Sequence, residues 1–178
     1  DNAATGNGGG ILNNSRVSLA NTTLAGNSAA AGGGIYNGFG DAALVSSTLS
    51  GNSAPVAGGL YNQSAHVTRS RTIVAGNASG PRPSDVGGLT PVDVAHSAHN
   101  LIGGGGSGGL TSGSHGNLVG FKPLLGRLGS YGGPVETIPL LPGSPGIDAG
   151  VGAGRDARGL GPVGPRDIGA FESQGFAL

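Results

Sequence analysis

Several residue types are absent or scarce in this sequence, and each absence narrows what the protein can be. There is no cysteine, methionine or tryptophan, and only 10% of the 178 residues are charged. Without cysteine the chain forms no disulfide and no thiolate metal site. Nine basic and nine acidic residues give a formal net charge of zero, which argues against nucleic acid and against an anionic membrane surface as partners. No apolar run approaches the ~20 residues of a membrane span.

What the sequence has in abundance is glycine, with 40 residues, and an internal repeat. Asn2, Asn27, Asn52 and Asn77 lie 25 residues apart, and the last three each end a phrase of the form apolar-small-Gly-Asn. A fixed period of this length is typical of repeat architectures, whose units bury their apolar faces against each other. Each unit contains three short alternating stretches bounded by turn residues, which predicts strands. The sequence therefore predicts an all-β fold, a parallel β-helix (solenoid) with coils of about 25 residues stacked about 4.8 Å apart.

The repeated residues have a structural explanation. The Asn residues predict a ladder along the stack, in which each amide bonds the side chain of the next coil. The alternative is that Asn only tolerates the left-handed backbone of a turn. The glycines before the last three Asn residues predict corners with positive φ, which glycine adopts without a Cβ clash; they are Gly26, Gly51 and Gly76. Arg69 replaces the apolar residue of the other units, Leu19 and Leu44, which predicts an outward shift or the last regular coil.

The period divides the chain into two parts of one domain. Residues 1–77 form regular coils, and residues 78–178 are predicted to form irregular coils with loop insertions and a Pro/Gly-rich C-terminal cap. Residues 78–95 resemble an inserted loop, and the Gly/Ser-rich stretch 103–116 predicts a flexible excursion. The regular part begins in mid-coil, so we expect an open N-terminal coil with unpaired backbone groups, a template for another chain. We expect partner proteins to attach there or through the loops at 78–95 and 103–116.

Charge is concentrated near the C-terminus. Arg and Asp alternate there, which favours ion pairs over cation binding, and a solenoid needs a polar terminal unit to close its core. We therefore interpret the segment as an ion-paired cap. A Ca²⁺ site and a catalytic site are the alternatives, and no other cofactor is indicated. The residues concerned are Asp148, Arg155, Asp156, Arg158, Arg166, Asp167 and Glu172.

The same segment resembles a known family. The motifs are Leu-Leu-Pro-Gly-Ser-Pro-Gly-Ile-Asp-Ala-Gly at 140–150, Arg-Asp-Ala-Arg-Gly at 155–159 and Asp-Ile-Gly-Ala-Phe-Glu at 167–172. They closely resemble the end of bacterial choice-of-anchor Q domains, and the upstream Gly-Gly-Gly-Ile and Gly-Asn phrases look like repeats of polymorphic outer-membrane proteins. The resemblance implies a right-handed parallel β-helix and an extracellular or bacterial cell-surface location. No catalytic residues carry over.

Two classes of function remain open. The first is a non-enzymatic structural, adhesive or assembly protein, whose Ser, Thr and Asn side chains suit a surface polysaccharide. Tyr36 and Tyr61, one coil apart, predict a small surface strip that stacks on a ligand; the alternative is simple cross-coil packing. The second class is a carbohydrate-active enzyme, a polysaccharide lyase or hydrolase.

The sequence argues against the enzyme. Glycoside hydrolysis needs two carboxylates about 5–10 Å apart, whereas the only acids in residues 1–77 are Asp1 and Asp41. The four histidines are scattered, and the spacing of His96 and His99 is weak evidence for a metal site. We therefore predict no catalytic and no metal-binding residues.

Overall fold

The structure is a computed structural model that describes residues 1–174. Within these residues, fourteen short strands are joined by turns, and the only helix is a single 3₁₀ turn at Ser114–Gly116. Three parallel sheets run along the molecule, because the chain winds as a β-solenoid of about four coils. The predicted all-β solenoid with coils of about 25 residues is confirmed.

Each regular coil contributes one strand to each sheet. Sheet A contains β1 (Ile11–Asn13), β4 (Ile35–Asn37), β7 (Leu60–Asn62) and β12 (Val86–Gly88). Sheet B contains β2 (Arg16–Ala20), β5 (Asp41–Val45) and β8 (Val67–Ser70). Sheet C contains β3 (Thr23–Ala25), β6 (Thr48–Ser50), β9 (Ile73–Val74), β13 (Leu101–Ile102) and β14 (Leu118–Val119). A separate antiparallel hairpin contains β10 (Ala78–Ser79) and β11 (Arg82–Pro83).

Successive coils pair in register, so that like side chains meet along the stack. In sheet A, Ile11 pairs with Ile35, Ile35 with Leu60, and Leu60 with Val86. Alternation along each strand sends every second side chain inward. The inward side chains of all three sheets form the main core, and their removal from water is the chief source of stability; its buried members include Ile35, Ala42, Leu44, Leu49, Leu60, Val67, Val74 and Ile102.

Glycine is required at two kinds of position. At the corners that follow sheet C, glycine has φ values of 69°, 70° and 74°, which other residues adopt only with strain; these are the predicted Gly26, Gly51 and Gly76. Directly before each of the first three strands of sheet A, a glycine leaves room for the Asn side chain of the ladder in the next coil. A Cβ on Gly34, for example, would lie 2.6 Å from the carbonyl oxygen of Gly59 and 3.2 Å from Nδ2 of Asn52.

The C-terminal end of the main core is closed by stretches that the sequence predicts to be loops. Val92 and Leu110 belong to the main core and are each only 4% exposed. The backbone N–H of Val92 donates to the carbonyl of Gly108 at 2.9 Å. Residues 103–110 are therefore a lid on the core rather than a flexible excursion. Residues 78–95 are more than an inserted loop, because they contain β12, which extends sheet A.

The C-terminal segment, residues 120–174, packs against the outer face of sheet C and does not lie across the end of the solenoid. A second core forms there between outward side chains of sheet C, such as Ile73 and Leu101, and Leu140 and Ile168 of the segment. The position of the predicted cap was therefore wrong. The strands β9 and β13 are apolar on both faces, and a strand buried on both faces needs a second cover.

Candidate functional site

A ladder of Asn side chains runs through the solenoid where sheet C turns into sheet A. In each rung, the backbone N–H and the Nδ2 amide donate to Oδ1 of the next Asn, at distances between 2.8 and 3.1 Å. The remaining amide hydrogen of Asn52 donates to the carbonyl of Leu24, and that of Asn77 donates to Leu49. The predicted ladder of Asn2, Asn27, Asn52 and Asn77 is thus present, and it leaves few buried polar groups unpaired.

A second ladder stands at the other end of sheet A, and sequence reasoning missed it. Nδ2 of Asn13 donates to Oδ1 of Asn37 at 2.6 Å, and Nδ2 of Asn37 donates to Oδ1 of Asn62 at 3.1 Å. The signal was available, because an Asn ends each Ile-Leu-Asn, Ile-Tyr-Asn and Leu-Tyr-Asn phrase. The two ladders flank the sheet A strands β1, β4 and β7.

Asp85 terminates the first ladder. Its Oδ1 accepts the backbone N–H and the Nδ2 amide of Asn77, both at 2.9 Å. Asp85 stands directly before β12, as Gly59 stands directly before β7. The N–H of Leu60 donates to the carbonyl of Asp85, just as the N–H of Ile35 donates to the carbonyl of Gly59. The side chain of Asp85 therefore fills the place of the next Asn. Its Oδ2 is buried without a partner among the described residues, and burial raises the pKa of this carboxyl despite the hydrogen bonds from Asn77.

Arg69 lies inside the core, where its strand pairs it with Leu44. It is 0% exposed, so the predicted outward shift was wrong; it does stand in β8, the last strand of sheet B. Nη2 donates to the carbonyl of Ser107 in the lid at 3.0 Å, whereas Nε and Nη1 are unpaired within residues 1–174. Burial lowers the pKa of Arg69 to about 10, and no carboxylate of the described residues forms an ion pair with it.

The C-terminal charges form two buried ion pairs. Arg158 contacts Asp156 at 2.7 Å, and Arg166 contacts Glu172 at 3.1 Å. Burial raises the pKa of Glu172, whereas at Asp156 hydrogen bonds outweigh burial and lower the pKa. The guanidinium of Arg158 also lies 3.6 Å from the ring centre of Phe171, a cation–π contact.

In the part of the chain that the structure describes, Asp148, Arg155 and Asp167 form no side-chain ion pair. Asp167 accepts the backbone N–H of Asp148 at 2.8 Å and that of Ser173 at 2.5 Å. Arg155 donates to the carbonyl of Gly159 at 2.6 Å. These bonds hold the irregular backbone of the segment.

The outer face of sheet A carries the predicted tyrosine strip. Leu12, Tyr36, Tyr61 and Gly87 stand in register on successive coils. The two tyrosine rings stack with centres 4.9 Å apart and planes tilted by 9°. Cross-coil packing is therefore present; both tyrosines are half-buried, and Leu12 at the N-terminal end of the column is 52% exposed.

The outer face of sheet B carries polar side chains beside apolar ones such as Ala43 and Val45. A groove of about 380 Å³ is lined there by side chains that include Arg16, Asp41 and His66. His66 also lines a neighbouring groove with Asp93, whose pKa is lowered by a hydrogen bond from His96. Asp93 follows β12 in the fourth coil, so sequence reasoning over residues 1–77 did not consider it beside His66.

The N-terminal coil is less enclosed than the coils that follow. Ile11, Val17 and Leu24 are half-buried, whereas their equivalents in the second coil are buried. Oδ1 of Asn2 accepts no hydrogen bond from the described residues, although every later rung accepts two. This coil face carries an apolar centre with a hydrogen-bond acceptor at its rim.

Within residues 1–174 no cluster of three or more His, Cys, Asp or Glu residues could hold a metal ion. The same residues contain no helix that is long and apolar enough to cross a membrane. No known protein family, curated protein or solved structure matches the chain.

Proposed function

We propose that this protein is a non-enzymatic, secreted or surface-associated β-helix protein with a structural or adhesive role. The observation that carries the proposal is the continuous amide ladder, whose buried rungs join successive coils in one hydrogen-bonded stack. Such a stack is a stiff support that presents the same outer positions on every coil. The likeness of its C-terminal motifs to choice-of-anchor Q domains supports an extracellular or cell-surface location.

The same proposal includes contact with other polypeptides in a larger extracellular assembly. We place this contact at the N-terminal coil, whose Ile11, Val17 and Leu24 are half-buried, or at the loops 78–95 and 103–116. A partner amide can donate to Oδ1 of Asn2 as Asn2 itself donates to Asn27. Light scattering of the native particle measures this: a mass above that of the single chain supports such a contact, and a monomer at all concentrations contradicts it.

Localisation tests the proposal as a whole. Antibodies raised against the purified protein should detect it in the medium or in the surface-washed fraction of the source cells. Detection in the cytoplasm alone would contradict the proposal.

The alternative function, a polysaccharide lyase or hydrolase, is favoured by one observation, the neighbouring grooves with Asp41, His66 and Asp93. Incubation with a polysaccharide panel, with detection of reducing ends and unsaturated products, separates the two functions. Turnover that is lost in Asp41→Asn and in Asp93→Asn would establish the enzyme and overturn the non-enzymatic proposal.

A further inference from the structure

We propose that the free face of the Tyr61 ring, above Gly87, binds a neutral pyranose ring of a glycan. This inference rests on the adhesive role proposed above and names its ligand class. Leu12, Tyr36, Tyr61 and Gly87 form the outer column of sheet A, with one residue, or rung, on each coil. The site is the fourth rung, where Gly87 contributes no side chain.

The geometry of the column leaves one aromatic face available. Tyr36 and Tyr61 cover one face of each other, since their rings are nearly parallel. Tyr36 has Leu12 on its other side, whereas Tyr61 has only Gly87 in the next coil. A Cβ on Gly87 would contact only Ala57, at 3.1 Å. A flat ring can therefore occupy this rung, because rungs repeat about 4.8 Å apart.

The platform is held in place before any ligand arrives. The hydroxyl of Tyr36 donates to the side-chain carbonyl of Gln63. The backbone of Gln63 is fixed in turn, since its N–H donates to Asn37 at 2.9 Å and its carbonyl accepts the hydroxyl of Thr90 at 2.8 Å. A rigid platform favours affinity, because little conformational entropy is lost on binding.

The chemistry around the platform selects a neutral, hydroxyl-rich ring. No member of the column is charged, and the hydroxyl of Tyr61 makes no hydrogen bond to the described residues. A crevice of about 280 Å³ adjoins Gly87; four of its eight lining residues are glycines, and the others are Val86, Leu89, Thr90 and Pro91. The C–H face of a pyranose suits the aromatic face, while its hydroxyls suit the exposed peptide groups of the crevice.

Two variants of the intact chain test the site in opposite ways. Tyr61→Leu removes the platform, and Gly87→Tyr fills the fourth rung with a third stacked ring while leaving Tyr61 in place. Binding of cello-, malto-, manno- and xylo-oligosaccharides is measured by titration calorimetry. At least one should bind saturably to the native protein, and both variants should weaken it tenfold or more.

The control is Tyr131→Leu, which changes a tyrosine packed on Phe171 in the C-terminal segment and should leave binding unchanged. Circular dichroism verifies that each variant keeps the β-solenoid. Absence of saturable binding by all four oligosaccharides at millimolar concentration would overturn the inference, as would undiminished binding in Gly87→Tyr. Binding of a tryptophan-containing peptide without any oligosaccharide would overturn it in favour of a protein partner. None of these results bears on cell-surface localisation, which tests the proposed function separately.

Discussion

Replacing Asp85 by Asn should make the protein more stable at neutral and alkaline pH. Asp85 occupies a ladder position that Asn holds in the preceding coils, yet its Oδ2 is buried and has no hydrogen-bond partner within residues 1–174. In those coils the second amide hydrogen donates to the carbonyl of the residue three positions before the preceding Asn of the ladder, as Asn77 donates to Leu49, three positions before Asn52. The register places the carbonyl of Val74 at the equivalent point, since Val74 pairs with Leu49. An amide at position 85 can donate to it, whereas an ionised carboxylate cannot.

The pH dependence has a definite sign. Burial raises the pKa of the Asp85 carboxyl in the folded state above its unfolded value of about 3.9. The folded protein therefore binds more protons than the unfolded chain between these two pKa values, and its stability falls as pH rises through that window. Below both values the native protein and Asp85→Asn should be similarly stable.

The magnitude follows from the cost of an unsatisfied buried polar group, about 1–3 kcal/mol. We expect Asp85→Asn to raise the free energy of unfolding by about that amount at pH 8, and to raise Tm by about 2–12 °C. The assay is thermal and urea unfolding, followed by circular dichroism from about pH 3 to pH 9.

The matched control is Asp41→Asn, the same chemical change at a side chain that is 56% exposed; it should alter stability by less than about 0.5 kcal/mol. A destabilised Asp85→Asn protein, or a gain that is the same at every pH, would refute the reasoning.

Three further changes test the core and the ladder by urea unfolding. Asn52→Leu should lower the free energy of unfolding by about 1–3 kcal/mol, because the amide of Asn27 loses its acceptor. An unchanged urea midpoint would mean that the ladder does not stabilise the fold. Arg69→Leu should raise it by about 1–4 kcal/mol, because a buried uncompensated charge is replaced by an apolar residue. This gain should not vary between about pH 5 and pH 9, since the pKa of Arg69 is lowered only to about 10; a loss of stability would mean that the bond to Ser107 dominates. Ile168→Ala should cost about 2–5 kcal/mol and expose the C-terminal segment to proteolysis; unchanged protease resistance would contradict a second core.

The repeat made the regular coils predictable. A fixed spacing of Asn and of inward apolar residues determines both the strand positions and their register, because parallel in-register stacking places equivalent residues on one another. The stacked Ile11, Ile35 and Leu60 and the four-rung ladder could therefore be predicted from the sequence. The second ladder could also have been found by the same spacing, had the Asn residues that end the sheet A strands been compared.

The irregular half was less predictable, for a physical reason. A single copy of a Pro/Gly-rich segment has no internal repeat that specifies where it packs, so its charges suggested a cap at the end of the stack. The deciding feature is apolar instead, since Ile73 and Leu101 leave the outer face of sheet C in need of cover. Similarly, glycine-rich composition predicts flexibility for residues 103–116, but one apolar residue, Leu110, anchors this stretch in the main core.

Equivalent positions on successive coils form columns of like residues, and three of these columns end at a residue of a different type. Arg69 ends the apolar column of sheet B and bonds the lid, Asp85 ends the Asn ladder, and Gly87 ends the aromatic column of sheet A. The first two substitutions leave polar atoms buried and unpaired, which costs stability relative to the residue that continues the column. Gly87 has no such cost and leaves a vacant rung beside an aromatic ring. A solenoid is stabilised by stacking like side chains on successive coils. Where a coil supplies no side chain for the stack, as at Gly87, a ligand can occupy that position.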